Sequence, residues 1–246
     1  MRISWLPHAR MMVYAADASS RYPNAQVIGA DLVEGQFDPS LSKATLAPDQ
    51  QQSNITWRVP NSPLSHGPAI DFEDPTWDFP TDYFSYIRLG HVIGSITSWP
   101  SILTKCLTHL LPANGYIEIT DIDWQARSAN GPLRANSPFA DYWDRLQEAS
   151  SREGRPFRVP HRALDGMLKD AGFDTIVHQR YRLPLCPWSR DERQEALGRN
   201  MAAVLEDSLV ALGIGLLPFS PDLVRAYAKE CVRVAQRREN RMFVML

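Results

Sequence analysis

The chain has 246 residues, of which 44% are hydrophobic and 22% are charged, and its formal net charge at pH 7 is −2. This length is sufficient for one large domain, and the near-zero charge argues against the basic surface of a protein that binds DNA or RNA. No run approaches the roughly 20 apolar residues of a membrane span, and the first residues lack the apolar core of a secretory signal. We therefore expect a cytoplasmic protein, with a nuclear location also open, that binds neither nucleic acid nor a membrane.

The three cysteines, Cys106, Cys186 and Cys231, are far apart in the sequence. They form neither a Cys-x-x-Cys pair nor a Cys/His spacing typical of zinc sites. Buried free thiols in a reducing compartment are the expected state, and no metal site is predicted from them.

The first third of the chain predicts one helix and short strands. A helix over Val13 to Arg21 precedes an apolar strand that ends at Asp31. Residues 38–69 are rich in Pro, Ser, Gln and Asn, which predicts a long surface loop holding one short strand, Ile55 to Val59. The segment Ala69 to Asp71 then has the pattern of another strand end.

The middle of the chain alternates strands with a helix. Tyr83 to Leu89 is rich in aromatic and β-branched residues, which is typical of a strand. A helix then begins with Ser98 as its N-cap and Pro100 at its first position, and an apolar stripe at helical spacing follows. The turn Pro112 to Gly115 leads into a further strand, Tyr116 to Thr120. This alternation predicts a parallel α/β sheet with right-handed crossovers.

Beyond residue 123 the pattern becomes mainly helical. The predicted elements are helices over 139–152 and 160–171, a strand over 173–183, helices over 189–212 and 221–238, and a last edge strand over 241–246. Additions of this kind cover the edge of the sheet where substrates usually bind.

Asp31 is the most informative single residue of the pattern. In dinucleotide-type α/β folds, a carboxylate at the tip of a parallel strand hydrogen-bonds the hydroxyls of a ribose. Such a strand normally follows a first strand, a glycine-rich turn and a helix. Here only twelve residues precede the predicted helix, and none of them is glycine. Whether they represent the natural start of the protein is left open.

Four ordered motifs carry a resemblance to a known family. They are Tyr22-Pro-Asn-Ala-Gln-Val-Ile-Gly-Ala-Asp31, Asp71-Phe-Glu-Asp-Pro-Thr-Trp77, Ile87-Arg-Leu-Gly-His-Val-Ile-Gly-Ser-Ile96 with Trp99-Pro100, and Leu110-Leu-Pro-Ala-Asn-Gly-Tyr-Ile-Glu118. Over about residues 13–123 the chain resembles the fungal LaeA-like class I methyltransferases, which use S-adenosylmethionine (SAM) and are common in secondary-metabolite pathways. The resemblance implies an α/β, Rossmann-like class I methyltransferase sheet, N-terminally incomplete, with helical C-terminal additions.

The resemblance also implies roles for individual residues. Asp31, with Leu32 beside it, would bind the ribose hydroxyls of SAM. Asp71 would accept a hydrogen bond from the adenine amino group, with the backbone of Phe72 beside it. Arg88 would lie at the end of the fourth strand, facing the methionine moiety and the substrate.

Residues 1–246 would then form one methyltransferase-like domain, with a cofactor-binding part over 1–123 and a helical substrate-pocket part over 124–246. SAM is the expected cofactor, and no metal is expected. The family's Gly-x-Gly-x-Gly loop, however, would fall on residues 8–12, where His8, Arg10 and Met12 replace the three glycines. Glycine lets the backbone approach the cofactor closely and adopt positive φ, so a loss of SAM binding is also open.

His91 follows the fourth strand and is a candidate general base for methyl transfer to oxygen or nitrogen. A packing or capping role is the alternative. Asp121 and Asp123, after the fifth strand, could line the substrate pocket or bind a metal. Methyl transfer mainly requires alignment of nucleophile, methyl and sulfur, so the lack of a catalytic triad does not exclude it.

Three functions remain open from the sequence. The first is a SAM-dependent methyltransferase that acts on a small-molecule intermediate of a fungal secondary-metabolite pathway. The second is a methyltransferase-like scaffold that binds or steers such an intermediate without methylating it, which the replaced glycines favour. The third is a regulatory module that binds a protein partner, for which the sequence offers no direct sign.

Overall fold

The structure of the protein is a computed structural model that describes residue 14 and residues 18–30, 54–58, 67, 70–133 and 137–246. The chain divides into two compact units. The N-terminal unit comprises the described residues within Leu6–Tyr83, and the C-terminal unit comprises those within Phe84–Leu246. The functional division at residue 123 stays a prediction.

A parallel pair of strands forms the sheet of the N-terminal unit. β1 (Val27–Ala30) pairs in parallel with β2 (Ile55–Arg58). Asn54 connects this pair to the chain before it, because its side-chain amide donates to the carbonyl of Ala25 at 2.8 Å. Its side-chain oxygen accepts from the Ser19 hydroxyl at 2.5 Å. Both predicted strands are confirmed, and they run parallel as the α/β prediction requires.

A second parallel pair begins the C-terminal unit. β3 (Tyr86–Gly90) pairs in parallel with β4 (Tyr116–Thr120), and α1 (Trp99–His109) lies between them in the chain. The hydroxyl of Ser98 caps α1 by accepting from the N–H of Ser101 at 3.4 Å. The predicted order of strand, capped helix and strand is therefore confirmed.

An antiparallel sheet of three strands lies in the same unit. Its strands are β5 (Asp123–Ser128), β6 (Arg182–Pro184) and β7 (Met242–Met245), and β7 lies between the other two. The prediction of a last edge strand is wrong, because β7 is central. Its apolar run, buried over 242–244, is typical of an interior strand. β5 was not predicted because four of its six residues are polar, although Trp124 and Ala126 are buried at alternate positions.

β6 is much shorter than the strand predicted over 173–183. Its pairing with β7 extends only to Tyr181, whose backbone exchanges two hydrogen bonds of 2.9 Å with Leu246. Residues 174–180 form neither helix nor strand. The prediction is wrong for most of this segment, because strand propensity is realised only where a neighbouring strand is paired.

Four helices follow β5 and supply much of the core of the C-terminal unit. They are α2 (Pro138–Arg152), α3 (His161–Ala171), α4 (Glu192–Leu216) and α5 (Pro221–Ala235), and a 3₁₀ turn (Arg238–Asn240) precedes β7. α1 packs against α3, while α2, α4 and α5 pack against one another and α4 also contacts β6. No helix within the described ranges is long and apolar enough to cross a membrane. The core of this unit includes Leu103, Cys106, Leu146, Leu205, Val224 and Cys231.

Gly213 of α4 is expected to tolerate no side chain. A Cβ atom there would lie 2.0 Å from the hydroxyl oxygen of Tyr142 on α2 and 2.6 Å from Cγ1 of Val224 on α5. Gly213→Ala should therefore lower the free energy of unfolding by about 1–3 kcal/mol, the usual cost of overpacking a core. The matched control is Gly166→Ala in α3, where a Cβ would have nothing within 4 Å. That change should be neutral or stabilising by up to about 1 kcal/mol, and equal stability of the two variants in urea would contradict this packing.

Candidate functional site

Strands β3 and β4 end together at one edge of their sheet. Gly90 lies opposite Thr120, and the N–H of His91 donates to the carbonyl of Thr120 at 2.9 Å. Beyond this bond the chain enters residues 91–98, here called the strand-end loop, which lead to α1. Ligands of α/β folds bind beside the carboxyl ends of parallel strands, so this loop is the candidate site of the C-terminal unit.

His91 begins the strand-end loop in an uncommon backbone conformation. Its φ is 57°, in the left-handed region that residues other than glycine rarely occupy, and its side chain is half-buried. Such a conformation costs about 1–3 kcal/mol and is frequent at functional sites. The candidate base therefore lies at the strand end, as the sequence predicted, while its catalytic role stays a prediction.

Asp121, the first residue after β4, contacts the strand-end loop. Its Oδ2 atom accepts from the N–H of Ile93 at 2.7 Å, and its Oδ1 atom accepts from the N–H of Ile122 at 2.9 Å. Burial raises the pKa of this carboxyl to about 6, although the backbone N–H groups of Ile93, Ile122 and Val92 oppose the rise by favouring the carboxylate. Asp121 thus connects the end of one strand to the loop that follows the other.

Two contacts hold the far end of the strand-end loop. The guanidinium of Arg155 donates to the carbonyl of Ser95. The ring of Phe157 lies so close to Gly94 that a Cβ there would come within 2.1 Å of it, and the φ of Gly94 is 83°. Both space and conformation therefore require glycine at this position. Phe157 in turn stacks on Trp143 of α2, with ring centroids 6.1 Å apart.

Arg88, expected to face the methionine end of the cofactor, has a partner within the sheet. It lies opposite Glu118 in the β3–β4 register, and the two side chains form an ion pair. The hydroxyls of Tyr86 and Thr120 donate to the same carboxylate at 2.9 and 2.8 Å. Side chains alternate along a strand, so these four share one face. The sequence predictions missed this network. The available signal was that Tyr86 and Arg88, and likewise Glu118 and Thr120, lie two residues apart on one strand and so point to the same face.

In the N-terminal unit, Asp71 and Phe72 lie in a turn rather than at the predicted strand end. Asp71 is only 5% exposed, and its Oδ1 atom accepts from the N–H of Glu73 at 2.9 Å. Its backbone carbonyl accepts from Asp74 at 3.0 Å, and that of Phe72 accepts from the Trp77 indole at 3.2 Å. A fixed, buried carboxylate next to a backbone amide is a suitable set of groups for an adenine edge. These residues therefore fit the adenine end of SAM.

The remaining candidate cofactor residues lie outside the described part of the chain. They are Asp31 and Leu32, predicted to bind the ribose, and residues 8–12, which replace the glycine loop. Their roles stay predictions. Among the residues that the structure does describe, no three His, Cys, Asp or Glu side chains are grouped as a metal site would require.

A pocket of about 400 Å³ opens in the C-terminal unit beside β5 and α2. On its wall, the guanidinium of Arg127 contacts Oδ2 of Asp123 at 2.6 Å and the carbonyl of Gln125 at 2.8 Å, which fixes its position. The volume is within the range of small-molecule sites. The sequence placed a substrate pocket in residues 124–246 but identified none of its walls, which include Gln125, Arg127, Pro132, Ala140, Trp143 and Asp144.

Comparison with known proteins matches the chain to a methyltransferase family. The family model described as "Methyltransferase domain" matches residues 13–179. The chain is 32% identical, over 87% of its length, to the "Secondary metabolism regulator LAE1" of Cochliobolus heterostrophus, of which it covers 61%. It is 29% identical, over 91% of its length, to the "Protein-methionine methyltransferase laeA" of Emericella nidulans, of which it covers 52%. The chain thus spans about half to three fifths of the length of these curated relatives.

One solved structure with similarity to the chain is phosphoethanolamine N-methyltransferase 2 of Haemonchus contortus in complex with SAM. Its TM-score is 0.48 at 14% identity, and the match covers 94% of this chain and 45% of that protein. The resemblance to the LaeA-like methyltransferases, and the α/β fold class that it implied, are confirmed by the family match and the sequence relatives.

The stability of the protein is expected to depend on pH through Asp121. Its pKa in the folded protein, about 6, is above the ordinary value of 3.8, so the folded state binds this proton more tightly than the unfolded chain. The resulting stabilisation is fully present below about pH 4 and is lost as the pH rises through 6; at about 1.4 kcal/mol per pH unit it amounts to at most roughly 3 kcal/mol. The variant Asp121→Asn has no such titration, so its stability relative to wild type should improve between pH 4 and 7.

Urea unfolding of both proteins at several pH values measures this difference. The control is Asp174→Asn, a change at an exposed aspartate of the same unit, which should follow the pH dependence of the wild type. A constant difference between Asp121→Asn and wild type over this range would contradict the assignment.

Proposed function

Because the chain belongs to the methyltransferase domain family, we propose that it is a SAM-dependent methyltransferase that acts on a small-molecule intermediate of a fungal secondary-metabolite pathway. The observation that carries the proposal is the family match over residues 13–179. The names of the relatives, as regulators of secondary metabolism, support the pathway context. The pocket of about 400 Å³ supports an acceptor of small-molecule size.

In this proposal the predicted cofactor residues supply the nucleoside contacts. The carboxylate of Asp71 accepts from the adenine amino group beside the backbone of Phe72, and Asp31 and Leu32 bind the ribose. The burial of Asp71 and its bond to Glu73 support this role, because an acceptor that is already fixed loses little conformational entropy on binding. Arg88 serves the methionine end, with its guanidinium oriented by Glu118.

The end of β3 supplies the group for proton removal. When bound, SAM supplies a methyl group on a positively charged sulfur. For an acceptor hydroxyl or amine, the neutral imidazole of His91 takes the proton from the attacking oxygen or nitrogen. The position of His91 after β3 and its left-handed backbone support this role. The rest of the task is alignment of the acceptor, for which the strand-end loop is the candidate.

The first test of the proposal is calorimetric titration of the protein with SAM and S-adenosylhomocysteine, for which micromolar binding is expected. Asp71→Asn keeps an oxygen for the N–H of Glu73 but replaces the second oxygen with an amide NH₂, which cannot accept from adenine. We expect affinity to fall about tenfold or more, the effect of one lost hydrogen bond with an unpaired group. Asp31→Ala should weaken binding similarly.

The matched control for this test is Asp74→Asn, a change at an exposed aspartate of the same turn, which should bind like the wild type. No binding by a folded, monodisperse wild type would overturn the proposed activity. It would favour instead the scaffold that binds a pathway intermediate without methylating it.

A second candidate acceptor is a methionine side chain of a protein. The relative from Emericella nidulans is named a protein-methionine methyltransferase. A thioether has no proton to lose when it is methylated, so its methylation needs no general base. The two kinds of acceptor therefore differ in their dependence on His91.

His91→Gln is expected to lower kcat about 10²-fold or more for a hydroxyl or amine acceptor, the usual contribution of a general base. The measurement is transfer of tritium from labelled SAM to a panel of hydroxylated and amino small molecules and to methionine-containing peptides. A variant that methylates the peptides at the wild-type rate, with no transfer to the small molecules by either protein, would support the second candidate and contradict the first.

A further inference from the structure

We propose that Asp121 is a positioning residue: its carboxylate fixes the strand-end loop to the end of β4 and thereby holds His91 in place. The inference rests on the proposed function, because the placement of His91 matters for catalysis only if that residue serves methyl transfer. The role differs from the pocket or metal roles that the sequence left open for this residue. It depends on the geometry at the last bond between β3 and β4.

Parallel strands exchange backbone hydrogen bonds at every second residue. The last such bond runs from the N–H of His91 to the carbonyl of Thr120. Continued pairing would next join the N–H of Ile122 to the carbonyl of His91, and then the N–H of Ile93 to the carbonyl of Ile122. The N–H of Ile93 donates instead to the side chain of Asp121 at 2.7 Å. The carboxylate thus ends the ladder, lets the loop turn towards α1, and still keeps the loop attached to β4.

The carboxylate is itself fixed in position. Its other oxygen accepts from the N–H of Ile122 at 2.9 Å, and the side chain of Ile122 is only 1% exposed. Because a buried residue and the end of a paired strand flank Asp121, the carboxylate cannot follow a movement of the loop. It therefore acts as a fixed point for the part of the loop that contains His91.

The far half of the strand-end loop has separate anchors. Ser95 is held by Arg155, and Gly94 packs on Phe157. Loss of the Asp121 carboxylate should therefore loosen residues 91–93, although His91 keeps its bond to Thr120 and Val92 its bond to Ser95, and should leave residues 94–98 in place. This division predicts a local effect that a general loss of stability would not produce.

Amide hydrogen exchange of the strand-end loop tests the inference in three variants. In Asp121→Ala, the N–H of Ile93 loses a charged acceptor, so its exchange should accelerate about tenfold or more. Asp121→Asn retains one acceptor oxygen and should show a smaller increase. Asp123→Ala is the matched control, because the carboxylate of Asp123 bonds to Gln125 and Arg127; its loop should exchange at the wild-type rate.

The kinetic readout uses the two Asp121 variants in the tritium-transfer assay. Asp121→Ala should lower kcat about tenfold or more while the KM for SAM changes little, and Asp121→Asn should recover part of the loss, because a displaced base slows transfer without removing cofactor contacts. Wild-type exchange at Ile93 in folded Asp121→Ala would overturn the inference. Should that variant not fold, wild-type exchange in Asp121→Asn would overturn it equally.

The outcomes separate the inference from the proposed function. Faster exchange with an unchanged kcat would overturn the positioning role. Faster exchange together with a lowered kcat supports it. Absence of SAM binding by the wild type would overturn the proposed function, and the inference with it as far as catalysis is concerned, while the exchange result would still decide whether Asp121 fixes the loop.

Discussion

The parallel pairing of β3 with β4 is the constraint on which the C-terminal unit depends. Two parallel strands cannot be joined by a tight turn, so the chain between them needs a long crossover connection. α1 provides that connection, with Leu103 and Cys106 fully buried on its inner face. Because both strands run in the same direction, their carboxyl ends coincide. The loop after one strand and Asp121 after the other are neighbours for this reason alone.

The groups at this edge add little to stability. The buried carboxyl of Asp121 makes the folded state less stable at neutral pH than at low pH, and the left-handed backbone of His91 is unfavourable. The pair of Arg88 and Glu118 is partly exposed, and such pairs contribute about 0–1 kcal/mol. The stability of the unit comes instead from apolar contacts of the helices. Functional sites commonly contain groups that lower stability, and the well-packed rest of the domain compensates for them.

The sequence predicted the elements that local chemistry determines. Ser98 and Pro100 marked the start of α1, and apolar runs marked β1, β2, β3 and β4. It did not reveal the position of β7, because strand order follows from long-range pairing that no local pattern encodes. It also missed β5, whose polar residues concealed the alternate burial of Trp124 and Ala126.

The candidate site was predictable by residue type but not by contact. The strand-end position of His91 followed from the end of an apolar run, and Asp71 followed from the family motif. The partners were not predictable, since Glu118 is thirty residues from Arg88 in the chain, and Asp121 is twenty-eight from Ile93. Separations of this size are decided by the register of two strands, which becomes visible only in the folded structure.

The central place of β7 has a consequence for how the protein is made. β5 and β6 acquire their common neighbour only when residues 242–245 are available, because β7 bonds to both. During synthesis, the edges of β5 and β6 that pair with β7 therefore stay unpaired until residues 242–245 have been made. The helices between these strands in the chain emerge earlier. Unpaired strand edges and late, non-local closure favour aggregation of folding intermediates. The nascent chain should accordingly depend on chaperones more than its ordinary composition suggests.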